Sequence, residues 1–495
     1  MIYQILEKEK MVKKIPYIKL ILISWAIALL IYRLLVSFSY KHELTNGETN
    51  NIWKAINVSQ GKSIYNDPEN LPLDVFQYTP ISEFPVIFFA KILNQHSINY
   101  VYWITVLGRL YQIACNFFLG VILYKIAIKI LNLNKINALL IVLTSISLLT
   151  TTAFTIRPDA TALITLFATI YFYGLSIQQN FNVKSIFFVS CLIVLNFFCK
   201  QDGIFIAIPI GIHLILQRKW KALFFTFIFS VGILLSMLLL AFFTSGKFFF
   251  INTILGLKNT MSLFQLLAVF NRAFTFYGFF ICIGLILGIK YCFKYKIITI
   301  HFIGILAVFY FLLALATSTK IGSWVNYYTP FVMISIILGI YYMENKTLKI
   351  KIITFVRYSF ILLSFIYLYS QLYNYTYPFI KFSANNEKYY LSKYNEFEYL
   401  KKKYKIRLND NIIVTNHLLR NFFAENSIMV NIEYYNQASY SYKRFKKDSN
   451  KDIKYIIFNK SEKLGVDFLV NYFHVNLSQY NLNTSKGYYV YILKT

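Results

Sequence analysis

The sequence predicts a polytopic α-helical membrane protein that ends in a small α/β domain. Three observations predict it: 57% of the residues are hydrophobic, the apolar residues recur in runs long enough to cross a bilayer, and the character changes after residue 371. Runs near 18–38, 100–124, 136–154, 159–177, 185–199, 203–217, 222–243, 273–293, 297–316, 327–343 and 353–371 make about eleven spans, near the ~20 residues a bilayer core demands. The first is read as a retained signal anchor, because no small-residue cleavage site follows it.

Charge orients the bundle. Lysines and arginines outnumber acids by 50 to 21, a balance that in a soluble protein points to nucleic acid. Here most of the excess is loop lysine, as the positive-inside rule requires, so nucleic acid is not an expected partner. Lys8, Lys10, Lys13, Lys14 and Lys19 precede the first span and place the N-terminus in the cytoplasm. An odd number of spans then puts the tail outside, in the inner (plasma) membrane of the cell. The five cysteines lie in or beside apolar runs without metal-ligand spacing and read as small core residues.

Residues 372–495 are expected to form the extracytoplasmic α/β domain, after a transmembrane domain over 1–371. Short β-type runs at 411–415, 455–458 and 488–493 alternate with helix-like stretches near 386–403 and 463–472. The first extracytoplasmic loop, 40–99, is expected to hold two interfacial helices. One over 50–60 would dip Ile52, Trp53, Ile56 and Val58 into lipid; the other, over 81–93, is too short to span.

That loop carries Glu43, Glu48, Asp67, Glu69 and Asp74 in a chain poor in acids. A carboxylate at a water–lipid boundary can serve as general base, metal ligand or cation site. A reaction at that boundary would need one carboxylate to take a proton, and cations to stabilise a charged leaving group. Candidate cations stand at the outer ends of apolar runs: Arg157, paired with Asp159, and Lys200. Lys258 and Arg272 flank a loop over 245–265 suited to a lipid headgroup. Charges at membrane depth are expensive and tend to mark function. The bland alternatives are a local ion pair with helix capping at Arg157 and Asp159, snorkelling at Lys200 and an aromatic belt at Trp324–Tyr328.

The order of these features resembles the GT-C glycosyltransferases that use polyprenyl-phosphate sugars, a group including bacterial protein mannosyltransferase-like and aminoarabinose transferase-like enzymes. Their first loop carries an acid, an alanine about eight residues on, Gly-x-x-x-Tyr and Tyr-x-Pro. Ala55, Gly61, Tyr65, Tyr78 and Pro80 match, and the register puts the catalytic acid at Gly47-Glu48, with Glu43 as competitor. Arg157-Pro158-Asp159, Lys200-Gln201 and Gly322-x-x-x-Asn326-Tyr327-Tyr328 look like later family elements. The resemblance implies a GT-C-like fold and an inverting glycosyltransferase. Glu48 or Glu43 would be its base, Arg157, Asp159, Lys200, Lys258 and Arg272 would hold the donor phosphate and lipid, and Tyr65, Tyr78, Asn326 and Tyr328 would touch substrate. It implies a polyprenyl-phosphate sugar donor, membrane lipids and an extracytoplasmic glycan, lipid or protein acceptor. No cofactor is implied; a divalent metal is compatible, though the lone aligned acid leans towards metal-free. A flippase of lipid-linked saccharides would show paired halves with midplane charges, and a polymerase or ligase a large late loop. The chain shows neither pattern.

Overall fold

Each apolar run marked in the sequence is a helix in the computed structural model, which describes residues 2–41, 43–45, 47–67, 76–257, 260–294, 297–345, 350–371, 383–407, 410–428, 453–459, 476–485 and 487–494. In chain order the helices are α1 (Ile2–Ser37), α2 (Glu48–Ser59), α3 (Phe84–Ile92), α4 (Tyr100–Lys125), α5 (Lys135–Ser147), α6 (Asp159–Gln178), α7 (Val183–Cys199) and α8 (Ala207–Leu216). There follow α9 (Trp220–Ser245), α10 (Lys247–Thr253), α11 (Leu263–Cys292), α12 (Ile298–Ser318), α13 (Thr329–Asn345) and α14 (Ile350–Gln371). Among the described residues, 7 helices are long and apolar enough to cross a membrane, and four shorter apolar helices stand where the other runs were placed. The chain is a polytopic helical membrane protein.

The outward faces show which solvent the bundle meets. Phe224, Phe227, Leu235, Leu239 and Phe243 stand exposed along α9, which buries only Ala222 and Ala241. A contiguous apolar face of that length is unfavourable in water, whereas lipid tails are as apolar as the side chains. Inside, small residues let helices approach. A Cβ at Gly284 of α11 would run into the side chains of Ser335 and Phe331 of α13, so glycine permits the close approach.

The C-terminal region is a five-stranded sheet in the order β2-β1-β3-β5-β4. The strands are β1 (Asn411–Val414), β2 (Ser427–Ile428), β3 (Ile453–Asn459), β4 (Tyr480–Ser485) and β5 (Tyr488–Leu493). β1 runs parallel to β2 and β3, while β5 is antiparallel to β3 and β4. Gly487, at φ +85, makes the tight β4–β5 turn, a left-handed conformation that glycine adopts without steric cost. Two helices accompany the sheet, α15 (Ser383–Lys403) and α16 (His417–Phe422). The helix expected near 463–472 lies outside the described residues.

The two loop helices part company. In α3 the stripe Phe84, Phe88 and Ile92 is more than half exposed while Val86 and Ala90 are buried, the one-sided pattern of an interfacial helix. The lipid-dipping expectation for α2 is corrected. Ile52 and Trp53 are 0% exposed, and ten of its residues are buried. Protein covers it on every side: Trp53 Nε1 donates to Ser427 Oγ (2.8 Å), Arg420 Nη2 to Asn50 Oδ1 (2.6 Å) and Gln60 Nε2 to Glu425 Oε1 (2.8 Å). An apolar stripe on a short helix does not say whether lipid or a docked domain will cover it. These contacts also place the C-terminal sheet and the first loop on the same side of the bundle.

Candidate active site

The site is built outward from α2. Gly47, at φ +92, lets the chain turn into the helix, and Glu48 opens its first turn, where the helix dipole favours a negative charge. Glu48 is fully buried. Arg109, in the middle of α4, grips it bidentately, Nε to Oε1 at 2.9 Å and Nη2 to Oε2 at 2.8 Å. Leu44 N donates to Oε2 at 2.9 Å and Ile156 N to Oε1 at 3.2 Å. A carboxylate has about four lone-pair sites, and all are taken.

This arrangement positions the next segment. Asn51 Nδ2 of α2 donates to Ile156 O at 2.7 Å, so α2 holds both backbone groups of the residue before Arg157-Pro158-Asp159. Glu48 is therefore a strut joining α2, α4 and the approach to α6.

Asp159 gathers the expected cations. Its Oδ1 accepts from Asn326 Nδ2 at 2.8 Å and Lys200 Nζ at 3.2 Å, and its Oδ2 lies 3.5 Å from Arg157 Nε. Lys200 is also 3.6 Å from Asp202 and sits over the Tyr327 ring, 4.9 Å from its centroid. Arg157 Nη2 donates to the Tyr78 hydroxyl at 3.1 Å. The Lys200-Gln201 element divides its work: Lys200 joins the cluster, while Gln201 Nε2 donates to the carbonyls of Gln77 and Thr253, tying the first loop to α10. Residues 157, 159, 200, 326 and 78, scattered in sequence, form one constellation.

A cavity opens beside it. Asp159, Lys200, Asp202, Asn326 and Tyr327 form its charged and polar end, Leu163, Leu166 and Leu313 an apolar wall, and Thr150, Thr152 and Thr317 supply hydroxyls. Asp202 is the more accessible acid, its side chain 29% exposed against 9% for Asp159. Such a cavity suits a charged headgroup that carries an apolar chain. Among the described residues, no three metal-ligating side chains stand together.

The other expected residues stand elsewhere. Tyr65 is buried against Phe76 and Phe249 and donates to Tyr78 O at 2.8 Å, so it braces the loop. Tyr328 is fully buried in the bundle beside Phe270. Arg272 is exposed on α11, its guanidinium 4.6 Å from the Trp324 ring centroid. Lys258 lies outside the described residues. Glu43 pairs with His417 Nδ1 at 3.0 Å and accepts from Thr49 Oγ1 at 3.0 Å, at the seam with α16.

Sequence reasoning missed two residues. Arg109 had a signal: an arginine within an apolar run needs a buried acid. Glu83, just before α3, is 2% exposed. Burial pushes its carboxyl up to about 8, against the downward pull of Arg157.

With this geometry in place, two crystal structures of ArnT from Cupriavidus metallidurans prove similar in fold. The form bound to undecaprenyl phosphate is 12% identical with a TM-score of 0.58, and the apo form 11% identical with a TM-score of 0.62. Each comparison covers 95% of this chain and 97% of the other. No family model and no curated protein matches the chain. The fold of this chain is the one it shares with these two structures.

Proposed function

We propose that the chain is an inverting membrane glycosyltransferase that moves a sugar from a polyprenyl-phosphate-linked donor to an extracytoplasmic acceptor. The observation that carries this reading is the meeting of Arg157 and Lys200 on Asp159, with Asp159 and Lys200 lining the polar end of an apolar-walled cavity. The fold it shares with a protein crystallised with undecaprenyl phosphate supports the same reading.

In this mechanism Lys200 and Arg157 receive the carrier phosphate, whose charge grows as the glycosidic bond breaks. Fixed cations in a water-poor site stabilise that charge more than they would in water. Asp159 orients both cations, and Asn326 holds Asp159. The acceptor hydroxyl needs a proton acceptor within hydrogen-bond reach. Glu48, with every acceptor site engaged, is assigned to positioning. Asp202 lines the cavity, is partly exposed, and has Lys200 at 3.6 Å; it is assigned as the base.

Purified protein in detergent, given radiolabelled undecaprenyl-phosphate-linked sugars, tests the reading. Release of undecaprenyl phosphate should fall about 10²–10³-fold in Lys200→Ala and about 10²–10⁴-fold in Asp202→Asn. Release that survives both substitutions at the wild-type rate contradicts the assignment.

A further inference from the structure

The end of the bundle opposite the Asp159 cluster carries cations that the proposed transfer does not use. Asp159 opens α6 and Asn180 follows its end, so the 20-residue helix sets about 30 Å between them. Three turns meet at that far end. Gln178 Nε2 donates to Lys129 O at 2.9 Å, tying the turn after α6 to the segment after α4. Lys219 Nζ donates to Asn180 Oδ1 at 3.2 Å, tying the same turn to the one before α9. With Lys184 in the first turn of α7, and Arg218 and Lys221 beside Lys219, the three turns present five cations, four of them exposed. No acid lies within residues 126–135, 176–185 or 215–223. At the other end of the same helices, Arg157 and Lys200 both meet Asp159. Here none of the five forms an ion pair among the described residues.

Their surroundings identify the partner. The helices that carry them face lipid: Val183, Phe187 and Phe188 of α7 and Phe224 and Phe227 of α9 are exposed. Phe187 packs edge-on against Phe229 of α9, ring centroids 5.4 Å apart, so the two apolar faces are continuous. Trp220, exposed between Lys219 and Lys221, has the side chain enriched at headgroup depth. Lysines and arginines at that depth attract negatively charged headgroups, and a guanidinium offers a phosphate paired N–H donors. A soluble anion would meet the cations alone; an anionic lipid meets the cations and the apolar faces together.

We propose that the turns joining α6 to α7 and α8 to α9 form a binding site for an anionic phospholipid, its phosphate held by Lys129, Lys184, Arg218, Lys219 and Lys221 and its acyl chains lying along α7 and α9. The site is separate from the transfer centre and stands whether or not the glycosyltransferase reading does.

Full-length protein in nanodiscs of mixed phosphatidylcholine and phosphatidylglycerol tests it, with native mass spectrometry counting the lipids that stay bound on release. At equal mole fractions wild type should retain phosphatidylglycerol over phosphatidylcholine. Lys184→Gln/Lys221→Gln changes two exposed side chains and should lower that preference about 5-fold for each charge. Lys184→Gln alone should lower it about 5-fold, and carries the test if the double variant does not fold. Lys135→Gln/Lys290→Gln removes the same charge from the ends of α5 and α11 and should keep the wild-type preference. No preference in wild type overturns the site, and so does an equal fall in both double variants, which would leave only a diffuse field. Displacement of phosphatidylglycerol by inorganic phosphate, but not by sodium chloride of the same ionic strength, would make it a site for a free anion and overturn the lipid.

Discussion

Glu48 and Asp159 are both buried acids paired with a basic side chain, yet their surroundings differ in kind. Glu48 is closed off, with two guanidinium and two backbone N–H donors on its oxygens. Asp159 shares its partners with a cavity whose lining still has hydrogen bonds to make. A saturated ion pair holds elements in place; an unsaturated one awaits a ligand. The catalytic acid expected from the loop register is thus the best-satisfied carboxylate of the site.

The largest effect that would break this contrast is on stability. Glu48→Gln leaves the Arg109 guanidinium buried without a counter-charge, and removing one partner of a buried pair costs about 3–5 kcal/mol. Thermal melts in detergent should show that loss, and the double variant Glu48→Leu/Arg109→Met should recover most of it. A Glu48→Gln protein that melts like wild type and lacks only activity would return Glu48 to the role of base.

The contrast also marks what the sequence could express. The apolar runs, Arg157, Asp159 and Lys200 were legible because charge at the end of an apolar run is costly and so stands out. Asn326 was legible through its spacing to Gly322. The partner of Glu48 was not, because Arg109 lies 61 residues away and no local pattern joins an arginine in one helix to an acid at the start of another. Likewise β2, a two-residue strand, and β4, whose side chains are largely exposed, carry too little apolar patterning to be singled out. The unpartnered polar atoms of Tyr310, Thr329 and Asn326 in the cavity lining belong to tertiary packing alone.

A smaller effect sharpens the comparison from the pH side. Glu83 titrates ordinarily near 4.5, but burial raises it to about 8 in the folded chain. Below about 4.5 both folded and unfolded chains carry its proton; between 4.5 and 8 only the folded chain does. Stability therefore falls as pH rises through that window and levels off above it. The melting temperature of Glu83→Gln should gain on wild type from pH 5 to pH 8, and a constant difference would contradict the raised carboxyl.

The smallest effect belongs to Glu43 and His417, whose side chains are 21% and 40% exposed. A partly exposed pair contributes about 0–1 kcal/mol, so Glu43→Gln should barely move the melt. A loss of several kcal/mol would mean that this pair anchors α16 to the first loop.

The most direct test of the account is carrier affinity. Undecaprenyl phosphate titrated onto wild type and Lys200→Ala in nanodiscs should bind about 100-fold more weakly to the variant, with Lys200→Arg, which keeps a cation beside Asp159, recovering part of the loss. Equal affinity across the three would place the phosphate elsewhere and contradict the assignment of the Asp159 cluster as the active site.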